Sequence, residues 1–293
     1  MLLIDKMQHI GNETQSQKAV IDFMIEKRGE IIDLSARDIA KLVFTSPATL
    51  TRLSKKLGYT GFEELKKDFL KEQEYLDRHM SNIDANFPFK KGDSMMTIAN
   101  SVGNLVKESI DDTLSLLQYD QLKSAVDIFT KADTIHVSSI SFSTIYARDF
   151  QLKMRRLGKK VEITELAGEQ LYTYPIMSHN DCALIISYSG EIPLLKQMMQ
   201  LYRSKRIPIV AITSLGENSI RKQADAVIDI TTREKLHSKI AGFSSQNSIK
   251  LILDILYSCY FNLNYKGNMQ KIQEMGKLAE PGRFSTTDIL QEE

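Results

Sequence analysis

Hydrophobic positions along the chain follow two rhythms, and the change from one to the other falls near residue 132. Before that point apolar residues recur at helical spacing. In QKAVIDFMIEKR, residues 17–28, Val20, Phe23 and Met24 share one face of a predicted helix. In the following LSARDIAKL, Ser35 stands three residues before Asp38, the spacing of a capping box, and Leu34 and Ile39 flank it as a hydrophobic staple. A short helix is therefore predicted over 36–42. Val43, Phe44 and Thr45 lead to a second start signal, Ser46 as N-cap with Pro47 at the first helical position, where a missing N–H costs nothing. On that second helix Leu50, Leu53 and Leu57 form the inner face, Gly58 is placed to end it, and Thr60 with Glu63 offers another capping box for a helix carrying Leu65 and Phe69. Two helices joined by so tight a turn make a helix-turn-helix.

Helical character continues to about Met80 and lapses in SNIDANFPFKKGDS, where Asn82, Asn86, Pro88 and Gly92 collect. Two further helices are predicted over 95–117 and 120–131, the latter marked by Leu122, Ala125, Val126 and Phe129. From Ala132 short β-branched runs take over: DTIHVSS, KKVEIT, CALIISYS, IPIVAIT and AVIDI. STIYARDFQLKMRRLG, PLLKQMMQLYRSK and SIRKQAD, between or after them, have helical periodicity. Strands this apolar, separated by helices, call for a parallel sheet covered on both faces. The predicted fold is thus multidomain: an N-terminal all-α helix-turn-helix domain over 1–80, a linker over 81–94, an α/β three-layer domain with a parallel sheet over 95–265, and a polar tail over 266–293.

Composition adds few constraints. The chain has 293 residues, 42% hydrophobic and 26% charged, which suits a globular protein of two domains with sizeable cores. Cys182 and Cys259 both sit in apolar segments without metal-ligand or CxxC spacing and are expected to be buried free thiols of a reducing compartment. The start MLLIDKMQHIGNETQ has no basic segment followed by an apolar one, and no run approaches the roughly 20 apolar residues that span a bilayer, so a cytoplasmic protein with no membrane partner is expected. Net charge is +1, but its distribution is uneven. From Ile39 to Phe62 lie Lys41, Arg52, Lys55 and Lys56 and no acidic residue.

That basic island falls on the helix-turn-helix. The outer face of its second helix is built from Ala48, Thr51, Arg52 and Lys55, with Thr49 and Lys56 at the flanks. Arg can fork to a guanine edge, Thr can use its methyl or hydroxyl on bases, and Lys with the helix N-terminus can hold phosphates. In the second half, chemistry concentrates after two strands. Ser138, Ser139, Ser141 and Ser143 follow the first; Ser187, Ser189 and Gly190 follow the third, in the stretch ISYSG. Ligands of such sheets bind beyond the carboxyl ends of the strands. A hydroxyl-lined turn feeding a helix N-terminus suits a phosphate, because free N–H groups and the helix dipole favour an anion. Serines are also good caps and turn formers. No Lys or Arg lies in either loop, so neutral donors would hold the anion.

The run SARDIAKLVFTSPATLTRLSKKLGYTGFEELK resembles the N-terminal helix-turn-helix of the MurR/RpiR family of bacterial transcriptional regulators. The family's S-x-x-T-x-x-R-x-x-K-K-L-G-[FY]-x-G-[FY] is matched by Ser46, Thr49, Arg52, Lys55, Lys56, Leu57, Gly58, Tyr59, Gly61 and Phe62. The second half resembles the SIS (sugar isomerase) domain that follows in those regulators, and the two resemblances together span about residues 15–265. The family's I-S-x-S-G-x-T appears as Ile186, Ser187, Tyr188, Ser189, Gly190, Glu191 and Ile192; its G-x-G-x-S aligns with Ser139, Ile140, Ser141, Phe142 and Ser143; and its S-R-I-A…D-x-L aligns with Ser245 and Gln246, leading to Asp254, Ile255 and Leu256. Two glycines have thus become serines, a hydroxyl has become Ile192, and the arginine has become Gln246. The resemblance implies DNA contacts by Ser46, Ala48, Thr49, Thr51, Arg52, Lys55, Lys56 and Tyr59, and contacts to a sugar-phosphate effector by Ser139, Ser141, Ser143, Ser187, Ser189, Gly190, Ser245 and Gln246. It also implies a homodimer or dimer of dimers on a palindromic double-stranded operator, paired through the helices over 95–131 and 246–264.

Because SIS domains also occur in ketose–aldose isomerases, Glu162, Glu165, Glu169, Glu191 and His237 are candidate acid–base groups, and no spacing singles one out. His9, His79, His136 and His179 are scattered in sequence, no G-x-G-x-x-G or P-loop follows a strand, and no catalytic residue, metal or cofactor is expected. The reading is a DNA-binding regulator that senses a phosphorylated sugar; the alternatives are an SIS-type isomerase and a regulator with a degenerate effector site.

Overall fold

The computed structural model describes residues 3–78 and 83–282 and divides into two compact units, with the boundary between Asp84 and Ala85.

The first unit is all helical. It contains α1 (Leu3–Gln8), α2 (Gln15–Lys27), a single 3-10 turn (Arg28–Ile31), α3 (Ala36–Leu42), α4 (Pro47–Lys56) and α5 (Phe62–Arg78). Their apolar faces meet in one core around Val20, Met24, Ile31, Ile39, Leu50, Leu53, Leu65 and Phe69. The Ser35–Asp38 capping box forms as the spacing predicts, and Ser35 holds the Asp38 carboxyl below its ordinary range through hydrogen bonds from its hydroxyl and amide. Two expected caps differ. Thr60 donates to Glu64 rather than Glu63, because α5 starts only at Phe62 and Glu64 is then its third residue. Ser46 has the extended backbone of an N-cap, but its hydroxyl pairs with Thr49 Oγ1 at 3.1 Å instead of capping. Gly58, at φ +97°, closes α4: its N–H donates to Lys55 O and that of Tyr59 to Ser54 O.

The second unit carries a five-stranded, all-parallel sheet in the order β2-β1-β3-β4-β5, made of β1 (Thr134–Ser138), β2 (Lys160–Ile163), β3 (Cys182–Ser187), β4 (Ile209–Ser214) and β5 (Ala226–Ile230). The helices are α6 (Met95–Leu116), α7 (Tyr119–Lys131), α8 (Phe142–Arg156), the short α9 (Gln170–Thr173), α10 (Pro193–Ser204), α11 (Phe243–Asn262) and α12 (Tyr265–Ala279). Alternate residues of β3 and β4 point to opposite faces: Leu184, Ile186, Val210 and Ile212 pack on α7, α8 and α11, while Ala183, Ile185, Ile209 and Ala211 pack on α10. This double burial explains the unbroken apolar runs.

Three segments differ from the sequence-based picture. SIRKQAD forms only the 3-10 turn Arg221–Gln223, since Asp225 accepts from Ile209 N and pairs with Arg203, drawing the chain straight into β5. Of the segment read as linker, 81–82 lie outside the described residues. From Ala85 on, that segment belongs to the second unit: Asn86 accepts hydrogen bonds there from Lys235 N and Ile240 N. The polar tail opens with α12, and residues 283–293 lie outside the described set.

Candidate functional site

Strand order places the sheet's reversal between β1 and β3, which run side by side with Ser138 opposite Ile185. Chains leave those two strands in opposite directions, so their carboxyl ends frame the crevice where ligands of such sheets sit. Both serine loops arise there. After β1, Ser138 Oγ pairs with Tyr202 OH at 2.7 Å, and Ser139, buried, pairs through Oγ with Thr144 Oγ1 at 3.0 Å. Burial pushes the Tyr202 hydroxyl up to about 12, so it stays a neutral donor and acceptor. Ser141 is exposed and caps α8 by position, with φ +59° and ψ −132°, a backbone that glycine adopts freely and serine does not. The serine that stands where the family keeps glycine has therefore kept a glycine's conformation. Ser143 is half-buried on the first turn of α8.

After β3, the loop folds back on itself. Ser187 Oγ accepts from Gly190 N, and Ser189 Oγ from Glu191 N, each at 3.2 Å. An oxygen that accepts leaves its own proton to give; Ser189 is half-buried, whereas Ser187 is buried at 1% exposure. Gly190 has φ +64°, and its carbonyl accepts from Ile220 N. Glu191 anchors this turn to the loop after β4 through Ser219 N at 2.7 Å and Ser219 Oγ at 2.8 Å, and it pairs with Lys196. Burial works to raise its carboxyl, but the Ser219 bonds and Lys196 outweigh that and hold it below the ordinary range. Pro193 opens α10 without an N–H.

Ser245 and Gln246 are engaged elsewhere, by residues of their own unit. Glu234, whose side chain is fully buried, lies against the N-terminus of α11: its carboxylate accepts from Ser244 N at 2.5 Å, Ser245 N at 3.1 Å and Ser245 Oγ at 2.6 Å, and pairs with Lys239 at 2.9 Å. Gln246 Oε1 accepts from Tyr146 OH. Tyr188, from within ISYSG, reaches the same loop, donating to Glu234 O at 2.8 Å. The helix dipole of α11 is thus answered by a carboxylate from the chain itself. Only the acidic residue's position in a polar loop is visible in sequence, and nothing there marks it as buried.

Of the acid–base candidates, Glu162 pairs with Lys160, Glu165 with Arg148, and Glu191 with Lys196 and Ser219. His136 lies buried on β1 with Nε2 at 3.3 Å from Asp181 Oδ2 and Nδ1 at 3.6 Å from Glu162 Oε2, a juxtaposition made by pairing of β1 with β2 and β3. Among the described residues no group of three or more His, Cys, Asp or Glu could hold a metal ion, and no helix is long and apolar enough to cross a membrane.

In the first unit, α4 shows Ala48, Thr51, Arg52, Lys55 and Lys56 to solvent, as expected. Arg52 Nε donates to Ala48 O and Thr51 Oγ1 to Pro47 O, each at 3.3 Å. Lys56 is tied to Asn12 O at 2.7 Å. Two expected contacts turn inward instead. Thr49 is buried, its hydroxyl receiving Thr45 Oγ1 at 3.1 Å, so it braces the turn. Tyr59 packs half-buried on the helical core, where desolvation and Asp68 push its hydroxyl well above the ordinary value. Ser46, Ala48, Thr51, Arg52, Lys55 and Lys56 are exposed.

Comparison with known proteins agrees with this division. The helix-turn-helix domain of the rpiR family matches residues 1–74, and the SIS domain matches residues 128–261. Among solved structures, the Vibrio vulnificus NanR protein complexed with ManNAc-6P is similar at 19% identity and a TM-score of 0.60, covering 97% of this chain and 100% of that one. The sugar isomerase domain of an RpiR transcription factor from Sphaerobacter thermophilus is similar at 18% identity and a TM-score of 0.55, covering 61% and 98%. A putative sugar-phosphate isomerase from Listeria monocytogenes follows at 14% and 0.54, covering 65% and 100%. At these identities the structures speak to fold alone. With a rpiR-type helix-turn-helix followed by a SIS domain in a single chain, the protein belongs to the MurR/RpiR family.

Proposed function

We propose that this chain is a transcriptional regulator that binds operator DNA through α4 and answers to a sugar phosphate seated between the loops after β1 and β3. The observation that carries the reading is the meeting of two hydroxyl-rich loops at the switch point of the sheet, in the same chain as a helix-turn-helix whose exposed face is small, hydroxylic and basic. Ser187 and Ser189 each retain a proton to donate. A phosphate there would be held by neutral donors, each net bond contributing about 1 kcal/mol. The partner expected alongside DNA is a second copy of the chain, since one recognition helix reads few base pairs; Met95 and Met96 at the start of α6 and Leu114 at its end are exposed apolar side chains on one of the helices expected to pair. Action in the cytoplasm follows from this reading.

The test is a thermal-shift screen against a panel of sugar phosphates that includes ManNAc-6P. A shift that disappears in Ser187→Ala supports the effector site. Measured turnover of a sugar phosphate, unaffected by Arg52→Ala, would instead favour the isomerase. A second reading, a regulator whose effector site has closed, draws on Glu234: one anion seat is already filled from within. Silence across the panel, with DNA binding intact, would favour it.

A further inference from the structure

Phe44 is the most exposed large apolar side chain in the protein's described residues, at 97%, and it stands on a left-handed backbone with φ +52°. The turn that holds it has a defined geometry. The Phe44 N–H donates to Lys41 O at 3.3 Å and the Thr45 N–H to Ala40 O at 2.8 Å, which is the pair of bonds that closes a helix through a left-handed residue. At the end of α4 the same pair of bonds is made around Gly58. Glycine suits that position because it has no Cβ to clash; a bulky aromatic residue does not. Neither closure of α3 nor packing thus accounts for a phenylalanine here: the backbone disfavours it, and the ring covers nothing in its own domain.

What surrounds the ring in sequence and on the surface is the face described above. Phe44 lies two residues before Ser46 and four before Ala48, at the mouth of α4, with Lys41, Arg52 and Lys55 exposed and no acidic residue from Ile39 to Phe62. The partner whose charge complements that stretch is a polyanion. In a helix-turn-helix the turn before the recognition helix lies where the groove wall begins, so an aromatic ring there meets deoxyribose and thymine methyl surface. We infer that Phe44 is a DNA-contact residue that supplies apolar contact at the edge of the groove entered by α4. The inference rests on the reading of α4 as the recognition helix. Because the ring carries no charge, it adds affinity without releasing counterions, which separates its signature from that of a basic residue.

The probe is a duplex recovered by the full-length wild-type chain from a random-sequence library, with affinity followed by anisotropy over a salt series. Phe44→Gly is expected to melt at a higher temperature than wild type yet bind that duplex about tenfold more weakly, with the slope of log K against log salt unchanged. Lys55→Ala is expected to lower the slope by about one. Phe44→Ser, retaining a Cβ, should lose the same affinity without the gain in melting temperature. Binding by Phe44→Gly within about twofold of wild type, alongside loss of binding in Arg52→Ala, overturns the inference and leaves the DNA-binding reading standing. Recovery of no duplex by the wild-type chain overturns both. Dissociation of an oligomer in Phe44→Gly, read by sedimentation, assigns the ring to a contact between copies and overturns the inference as well.

Discussion

Truncation of Glu234 to alanine removes a fully buried carboxylate from the N-terminus of α11 and strands everything that points at it. Two backbone N–H groups, from Ser244 and Ser245, lose their acceptor; so does the Ser245 hydroxyl; and Lys239, itself mostly buried, loses its counterion. A hydrogen bond to a charged group contributes about 1.5–3 kcal/mol, but these bonds share one acceptor and do not add. Breaking a buried ion pair by deleting one partner costs about 3–5 kcal/mol, most of it from the charge left behind. Lys239 can turn to solvent, so a loss of about 3 kcal/mol is expected. For a domain of this size that lowers the melting temperature by about 6–12 °C. Differential scanning calorimetry resolves such a change, and the shift should fall on the transition of the SIS domain alone. Glu234→Gln keeps one acceptor oxygen and the volume, and should lose less than half as much. Inorganic phosphate should restore part of the loss in Glu234→Ala and do less for wild type, since a vacated helix N-terminus is an anion site. A shift below about 2 °C in Glu234→Ala would refute the reasoning, because the N-terminus of α11 would then have found other partners at no cost.

Three further outcomes follow from individual contacts. Ser141→Gly relieves a positive-φ serine and should raise stability by about 0.5–1 kcal/mol in urea titration, the strain of about 1–2 kcal/mol being partly offset by glycine's freer unfolded chain; a destabilised variant would show that the Ser141 side chain has a role its geometry hides. Burial tends to raise the Asp254 carboxyl, but Lys153 and Lys250 outweigh it and hold it below the ordinary value. Its stabilisation is therefore present above the unfolded value of about 3.9 and lost as pH falls through the lower folded one. Asp254→Asn should cost about 0.5 kcal/mol at neutral pH, a figure reduced for the group's partial exposure, and nothing in strong acid; a pH-independent difference would sink this account. Burial pushes the Cys182 thiol up to about 12, while Cys259 is half-buried, so iodoacetamide should label Cys259 in the native protein and spare Cys182 until unfolding, as read by peptide mass spectrometry. Equal labelling rates would contradict the packing of β3.

The parts of this protein that were legible in its sequence are those governed by local rules. The Ser35–Asp38 box, Pro47 at the start of α4, Gly58 at its end and the period of each strand are set by neighbours within four residues, and all appear where the spacing puts them. Placing the serine loops beyond strand ends required only the rule for parallel sheets. What stayed hidden depends on strand order and on which polar groups end up inside. His136, Glu162 and Asp181 are separated by up to 45 residues and meet only because β1 lies between β2 and β3. The sequence pattern puts Thr49 at the flank of its helix, and only the structure shows it buried and bonded to Thr45. A capping pair drifted from Glu63 to Glu64 because α5 begins one turn position later than the Thr60 signal suggests.

The placement of Glu234 also narrows how this SIS domain can choose a ligand. In a sheet of this kind the helices that follow strands turn their N-termini to the crevice side, and the long ones are α8, α10 and α11. That of α11 already carries a carboxylate, and a phosphate entering it would place a second negative charge beside the first. That of α10 begins with Pro193 and so offers one N–H fewer. Under the proposed function, selection of an anion would then fall on the start of α8 and on the half-buried hydroxyl of Ser189. Serine at position 141 places a Cβ and a hydroxyl at the mouth of α8, where glycine would leave bare backbone. On this argument the Ser141→Gly variant distinguishes two roles for that hydroxyl. If it donates to the phosphate, the more stable variant binds a sugar phosphate more weakly; if it narrows the entrance, the variant accepts a wider set of sugar phosphates than the wild-type chain does.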